Sequence, residues 1–185
     1  GRGPQWESPS GRKPSLAVII VGNNPASQVY VRNKVKSAIY VGMNSRLITM
    51  AEDATEEALL QMIDTLNRDP EVDGILVQLP LPKQIDEARV IDAIAKEKDV
   101  EGFHVLTVGA LWLGRRCSVP CTPKGILRLI DESGIDLCGK TAVVVGRSNI
   151  VGKPVAKLLL DRNATVIIAH SRTKDLRSIT LQADV

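Results

Sequence analysis

A chain of 185 residues, 44% of them hydrophobic, can bury one medium core or two small ones. Its net charge of +3 is mild, acids and bases alternate, and a single Phe leaves few stacking platforms, so the pattern argues against nucleic acid and suits small anionic ligands. No run approaches the roughly 18 apolar residues of a membrane helix, and the first residues lack a secretory apolar stretch.

Residues 1–14 mix Gly, Pro, Ser and Arg without a period and read as an irregular lead-in. Ser15 to Val21 (SLAVIIV) is a continuous β-branched run, the mark of a strand buried on both faces, and Gly22 to Pro25 turns the chain. Val31, Val35, Ala38 and Ile39 recur at helical spacing and predict a helix over Ala26 to Val41, closed by Gly42. A second strand is expected near Arg46 to Met50. Thr55 caps a helix with Leu59, Ile63 and Leu66 on its apolar face, ended by Asp69-Pro70. Gly74 to Gln78 is a third strand, and Asp86 opens a third helix through about Ala95.

This βαβαβα order implies a parallel sheet with right-handed crossovers, covered on both faces, with ligands at the carboxyl ends of its strands. The stretch Asp99 to Val119 reads as irregular, and Thr122, between Pro120 and Pro123, is expected to cap a helix to Ser133 that Gly134 stops. Thr141 to Val145 and Thr165 to Ala169 are strands, Gly152 to Leu160 and Leu176 to Leu181 helices. The expected fold class is thus α/β with two parallel-sheet domains, 1–119 and 120–185, the second an incomplete Rossmann-type unit.

Between the strand Thr141 to Val145 and its helix lies Val145-Gly146-Arg147-Ser148-Asn149-Ile150-Val151-Gly152-Lys153-Pro154. Glycine at such a turn lets backbone approach a pyrophosphate whose charge the helix N-terminus stabilises. It is neither a strict GxGxxG nor a Walker A loop, since Pro154 stands where Ser or Thr is needed. Arg147 is well placed for an adenosine 2′-phosphate, and His170-Ser171-Arg172-Thr173 after the next strand lacks the acid that reads an NAD ribose. Both features select NADP.

Tyr30 and Lys34 are four residues apart and share a helix face. A helical Lys is ordinarily solvated, but this helix starts beyond the carboxyl end of a buried strand, where a partly desolvated ammonium can exchange protons near neutral pH. Gln78 closes the third strand at the same edge, and Asp99 and Glu101 in Lys98-Asp99-Val100-Glu101-Gly102-Phe103-His104 offer acceptors for the N–H groups of a pterin. Cys117, Cys121 and Cys138, with His104 and His170, give neither a CxxC nor a four-ligand spacing, so reduced packing thiols of a cytoplasmic-type compartment are expected and no metal.

In order and spacing, VGNNPASQVYVRNK, VDGILVQLPLP, KDVEGFH, PCTPKGI and VVVGRSNIVGKP resemble the signature segments of the methylenetetrahydrofolate dehydrogenase/cyclohydrolase (FolD) family, from about Pro14 to Val185. The resemblance implies NADP-dependent oxidation of 5,10-methylenetetrahydrofolate to the methenyl form, then hydrolysis to 10-formyltetrahydrofolate, by a cytoplasmic homodimer. It implies Lys34 as general acid/base, Tyr30 packed on the folate, Gln78 tuning Lys34, and Asp99 with Glu101 binding the pterin. Gly146, Arg147, Ser148, Ile150 and Ser171 match cofactor-contacting positions. The family usually carries Asp where this chain has Glu101, and its Pro-Gly-Gly-Val-Gly-Pro segment does not occur, so the nucleotide domain reads as cut short.

Two other readings bear on the same residues. Short-chain dehydrogenases also use Tyr-x-x-x-Lys, but there the pair follows the dinucleotide turn, whereas here Tyr30 and Lys34 precede Gly146 by over a hundred residues. The alternative from outside enzymes is a folate-binding or assembly module that keeps the first domain without productive nicotinamide binding.

Overall fold

The structure is a computed structural model that describes residues 11–185. The irregular lead-in expected over 1–14 therefore lies mostly outside the described residues; Gly11 to Pro14 contain no helix or strand. The described residues pack as two compact units, divided between Val100 and Glu101.

In the first unit, β1 (Ser15–Val21), β2 (Asn44–Met50) and β3 (Gly74–Val77) form a parallel sheet in the order β2-β1-β3. The side-chain period of two divides β1 between two cores. Ala17, Ile19 and Val21 pack with Leu59, Ile63 and Leu66 of α2 (Glu56–Arg68) and Val90 of α3 (Glu87–Ala93). Val18 and Ile20 pack against Val31 of α1 (Pro25–Tyr40). Helices thus cover both faces, and each fully buried Ile contributes about 1.5–3 kcal/mol.

Local chemistry sets the helix ends. The Asn24 side chain accepts from Ser27 N and Pro25 opens α1. Thr55 and Asp86 cap α2 and α3 through their side chains. Lys98, in a short 3-10 turn Lys96–Lys98, donates from Nζ to Leu66 O at 2.8 Å and Asp69 O at 2.7 Å, satisfying carbonyls at the end of α2. At the amino edge of the sheet Arg12 grips Asp73 with both guanidinium nitrogens, at 2.7 and 2.8 Å, while Ser15 N donates to the same carboxylate. The Arg12 hydrogen bonds, helped by that backbone donor, hold Asp73 below the usual carboxylate range.

The second unit begins with α4 (Val105–Trp112), which overturns the irregular reading of Asp99 to Val119. His104, an uncommon cap, starts it by accepting from Leu106 N at Nδ1, and its exposed Val105, Leu106, Trp112 and Leu113 hide the amphipathic pattern that marks most helices. α5 (Cys121–Glu132) starts at Pro120 with no side-chain cap bond, so Thr122 lies inside the first turn and is not the cap expected of it. Proline fits there because first-turn N–H groups lack helical partners.

β4 (Thr141–Val145), α6 (Gly152–Leu160) and β5 (Thr165–Ala169) follow the predicted bounds, and α7 spans Leu176–Thr180. β4 and β5 pair in parallel, with Leu127 of α5, Val155 and Leu159 of α6 and Ala142 in their core. Val185 N donates to Thr141 O at 3.3 Å and Val143 N to Val185 O at 2.9 Å, the alternation of a parallel ladder on the free edge of β4.

Candidate functional site

Three connections leave the carboxyl edge of the first sheet. The turn after β1 leads into α1, which carries Tyr30 and Lys34 one turn apart; Tyr30 is 61% exposed and Lys34 half-buried. Gln78 follows β3, where its backbone N–H donates to Ile19 O at 2.8 Å and continues the ladder. Its side-chain Nε2 donates to Leu79 O at 2.7 Å. Its Oε1 is buried and accepts from no described residue, an orphaned acceptor that costs on the order of 1–3 kcal/mol while its bond is unmade. The next peptide, Leu79-Pro80, is cis.

Asp99 is buried at 6% exposure and forms a parallel bridge with Ile75 of β3. That places it beside the strand that leads into Gln78, which lies three residues, or about 10 Å, further along from Ile75. Glu101 is half-buried and opens the second unit. Gly102 beside it has φ +75°, and a Cβ there would lie 2.7 Å from Ser118 O, so glycine is required where this loop meets the segment before α5.

The nucleotide turn of the second unit is built by backbone packing. A Cβ on Gly152 would stand 2.6 Å from Gly146 O and 2.9 Å from Arg147 N, so the first turn of α6 rests directly on the turn leaving β4. Gly146 has φ +144°, and the space where its Cβ would point is open to 4 Å. Ser148 Oγ accepts from Val151 N and Gly152 N, both at 3.2 Å, leaving its own O–H proton to donate elsewhere. First-turn donors expected to face a phosphate are therefore already engaged, and the hydroxyl stands in their place. Arg147 is exposed and Ile150 is 39% exposed.

Gly146 N donates to Ala169 O at 2.8 Å, which sets the loop after β4 alongside the loop after β5, where Ser171 is exposed. An open depression of about 550 Å³ lined by Glu52, Asp53 and Gln84 follows β2. Its acids suit neither a phosphate nor a carboxylate, and none of its lining residues belongs to the predicted set. Among the described residues no group of three or more His, Cys, Asp or Glu has the arrangement of a metal site, and no helix is long and apolar enough to cross a membrane.

Two parallel α/β units, the second joining strand to helix through a glycine turn, make a two-unit α/β protein with a Rossmann-type nucleotide fold. The profile of the tetrahydrofolate dehydrogenase/cyclohydrolase catalytic domain matches residues 4–101, starting ahead of the expected limit near Pro14, and that of the same family's NAD(P)-binding domain matches 120–185. The chain belongs to this family. The bifunctional protein FolD of Listeria innocua is 58% identical over 175 residues, which are 95% of this chain and 62% of the relative. The bifunctional FolD of Campylobacter jejuni superposes with a TM-score of 0.91 at 48% identity, covering 95% of this chain and 62% of that one. The Trypanosoma brucei FolD, solved with NADP cofactor and an inhibitor, gives 0.90 at 38% identity over 95% and 61% of the two chains. The chain thus spans less than two thirds of the length of these relatives.

Proposed function

We propose that this chain carries the folate site and part of the nucleotide site of an NADP-dependent methylenetetrahydrofolate dehydrogenase and methenyltetrahydrofolate cyclohydrolase. The observation that carries the reading is Gln78 Oε1, a buried acceptor at the ligand edge of a parallel sheet in a chain that also bears Lys34 on the helix entering from that edge. An ammonium donor on that oxygen satisfies it and fixes the amine for proton exchange. Tyr30, one turn before Lys34, offers an exposed ring to the folate, and Asp99 with Glu101 offers acceptors to the pterin N–H groups.

When bound, NADP would supply the hydride acceptor for oxidation of the methylene carbon to the electrophilic methenyl group. In hydrolysis a water oxygen bonds to that carbon and gives up both its protons through a base, one passing to the ring nitrogen as the carbon–nitrogen bond to the ring breaks and the other leaving to solvent, so that the oxygen ends as the formyl carbonyl. Lys34 serves both transfers, with Gln78 holding it in place. Gly146, Arg147, Ser148, Ile150 and Ser171 contact the nucleotide: the open face of Gly146 admits a phosphate, and the uncommitted Ser148 proton donates to it. The assignment gives folate chemistry to residues 1–119 and nucleotide binding to 120–185, a functional division that differs from the packing division at Val100. It includes a cytoplasmic homodimer, as the resemblance implies, and assigns no role to metal, membrane or nucleic acid.

Lys34→Met in a full-length version keeps the stem volume and removes the charge. Cyclohydrolase turnover is expected to fall at least about 100-fold, the scale of general acid/base catalysis, with folate binding retained. Wild-type hydrolysis by that variant removes Lys34 from the mechanism.

A further inference from the structure

The last turn of α2 holds the segment that leads to Asp99, through two side chains to which the reading above gives no part. In an α-helix the Leu66 carbonyl accepts from the N–H four residues on, and that residue is Pro70, which has none. Lys98 fills the place: its Nζ donates to Leu66 O at 2.8 Å and to Asp69 O at 2.7 Å. Asn67 closes a second clasp, donating from Nδ2 to Ala93 O at 2.8 Å and accepting at Oδ1 from Ala95 N at 2.9 Å. A lysine ordinarily keeps its ammonium in water, whereas Lys98 is half-buried and spends its donors on main-chain carbonyls.

On its other side the segment is fixed by β3. Asp99 bridges Ile75 in parallel, and Val100 packs onto Gly74, where a Cβ would stand 2.4 Å from Val100 Cγ1. Between the clasps, Lys98 N donates to Ala95 O at 2.7 Å and closes the backbone into a turn. Residues 93–100 are thus strung between the end of α2 and the start of β3, all within the first unit. Asp99 comes directly after the residue whose ammonium carries the anchor. A carboxylate that pairs with the N–H groups of a planar ring has to be held within about 0.5 Å, so a backbone shift at its neighbour weakens the bond.

We propose that Lys98 is a positioning residue for the folate: by donating to the last carbonyls of α2 it sets the place and direction of the Asp99 carboxylate, with Asn67 as the second anchor. The inference rests on the reading of Asp99 as an acceptor for pterin N–H groups, and it gives Lys98 no contact with the substrate. An ammonium suits the task because one Nζ serves two carbonyls, forms stronger bonds than a neutral donor, and lies at the negative end of the helix dipole. Loss of the anchor keeps the Asp99 carboxylate and loosens the backbone that aims it. Recognition of the pterin then suffers, and recognition of the remainder of the folate does not.

The test is calorimetric titration of the chain with 5-formyltetrahydrofolate and with p-aminobenzoylglutamate, which lacks the pterin. The wild type is expected to bind 5-formyltetrahydrofolate more tightly. Lys98→Met keeps the stem and removes the ammonium; it should lower 5-formyltetrahydrofolate affinity about tenfold, the scale of one hydrogen bond to a charged group, and change p-aminobenzoylglutamate binding less than about twofold. Lys98→Arg, which can still donate to both carbonyls, should recover most of the loss. Asp99→Asn should show the same selectivity, and adding Lys98→Met to it should cost little more, because a residue that acts through Asp99 has nothing left to aim. A wild type that binds neither probe, or both equally, or an Asp99→Asn variant that keeps the preference, overturns the pterin reading of Asp99 and this inference with it. If Asp99→Asn loses the preference while Lys98→Met is unchanged, weakens both probes equally, or adds its full loss to that of Asp99→Asn, Lys98 alone is overturned and the folate site stands.

Discussion

The two units start from the same βα alternation and hold their candidate site residues in different ways. In the first, β1 is clamped between α1 on one face and α2 with α3 on the other, and Ala17, Val18 and Ile19 are wholly inaccessible. In the second, the core of β4 and β5 lies against α5 and α6, while Val145 is 62% and Ile168 40% exposed. The first unit therefore holds Gln78 at the end of a buried strand, with its backbone N–H on Ile19 O and its side-chain amide on Leu79 O. The second holds its nucleotide turn by seating Gly152 on Gly146 and by Ser148 bridging two backbone donors. Apolar burial positions one site; close backbone contact positions the other.

If the units are as separate as their packing, damage to one leaves the other standing. Leu59→Ala, in the first core at 0% exposure, should cost about 2–5 kcal/mol, and amide exchange should quicken in β1 to β3 but not in β4 or β5. Equal quickening in both sheets shows that the units fold as one body. Gly152→Ala comes next: its methyl meets backbone atoms that cannot rotate away, so a cost of about 1–3 kcal/mol is expected, felt in the second unit, together with loss of nucleotide binding. Normal 5′-AMP titration of that variant contradicts the backbone-packed turn.

The smallest effect concerns pH. Arg12 and Ser15 N hold Asp73 below the usual carboxylate range, so its ionised form binds more tightly to the folded chain than to the unfolded one. That contribution is present above the unfolded carboxylate value of about 4 and disappears as pH falls through the lower folded value. The pair is substantially exposed, so its effect is modest. Urea melts of wild type and Asp73→Asn should differ above about pH 4 and converge below it. A gap that widens on acidification reverses the assigned sign.

Much of the fold was legible because β-branched runs such as Ser15 to Val21 and Thr141 to Val145 have few alternatives to a buried strand, and Thr55 and Asp86 cap helices by local bonds. α4 escaped because its cap is a histidine and its outer face is apolar, both departures from local rule. Cys121 opens α5 in place of the expected Thr122 cap because the end there is set by the two buried prolines Pro120 and Pro123.

The sequence by itself determined the order of elements, the strand and helix identities that hydrophobic period dictates, the glycine turn, and the family, because these depend on residues close along the chain or on several ordered motifs. The tertiary structure decided what depends on contacts between distant residues: that Gly152 has no room for a methyl against Gly146, that Ser148 has already taken the first donors of α6, that Gln78 keeps a buried oxygen unmatched, and that the β4 and β5 loops begin side by side. Strand register and van der Waals exclusion act between atoms remote in sequence, so only the folded chain brings those atoms together.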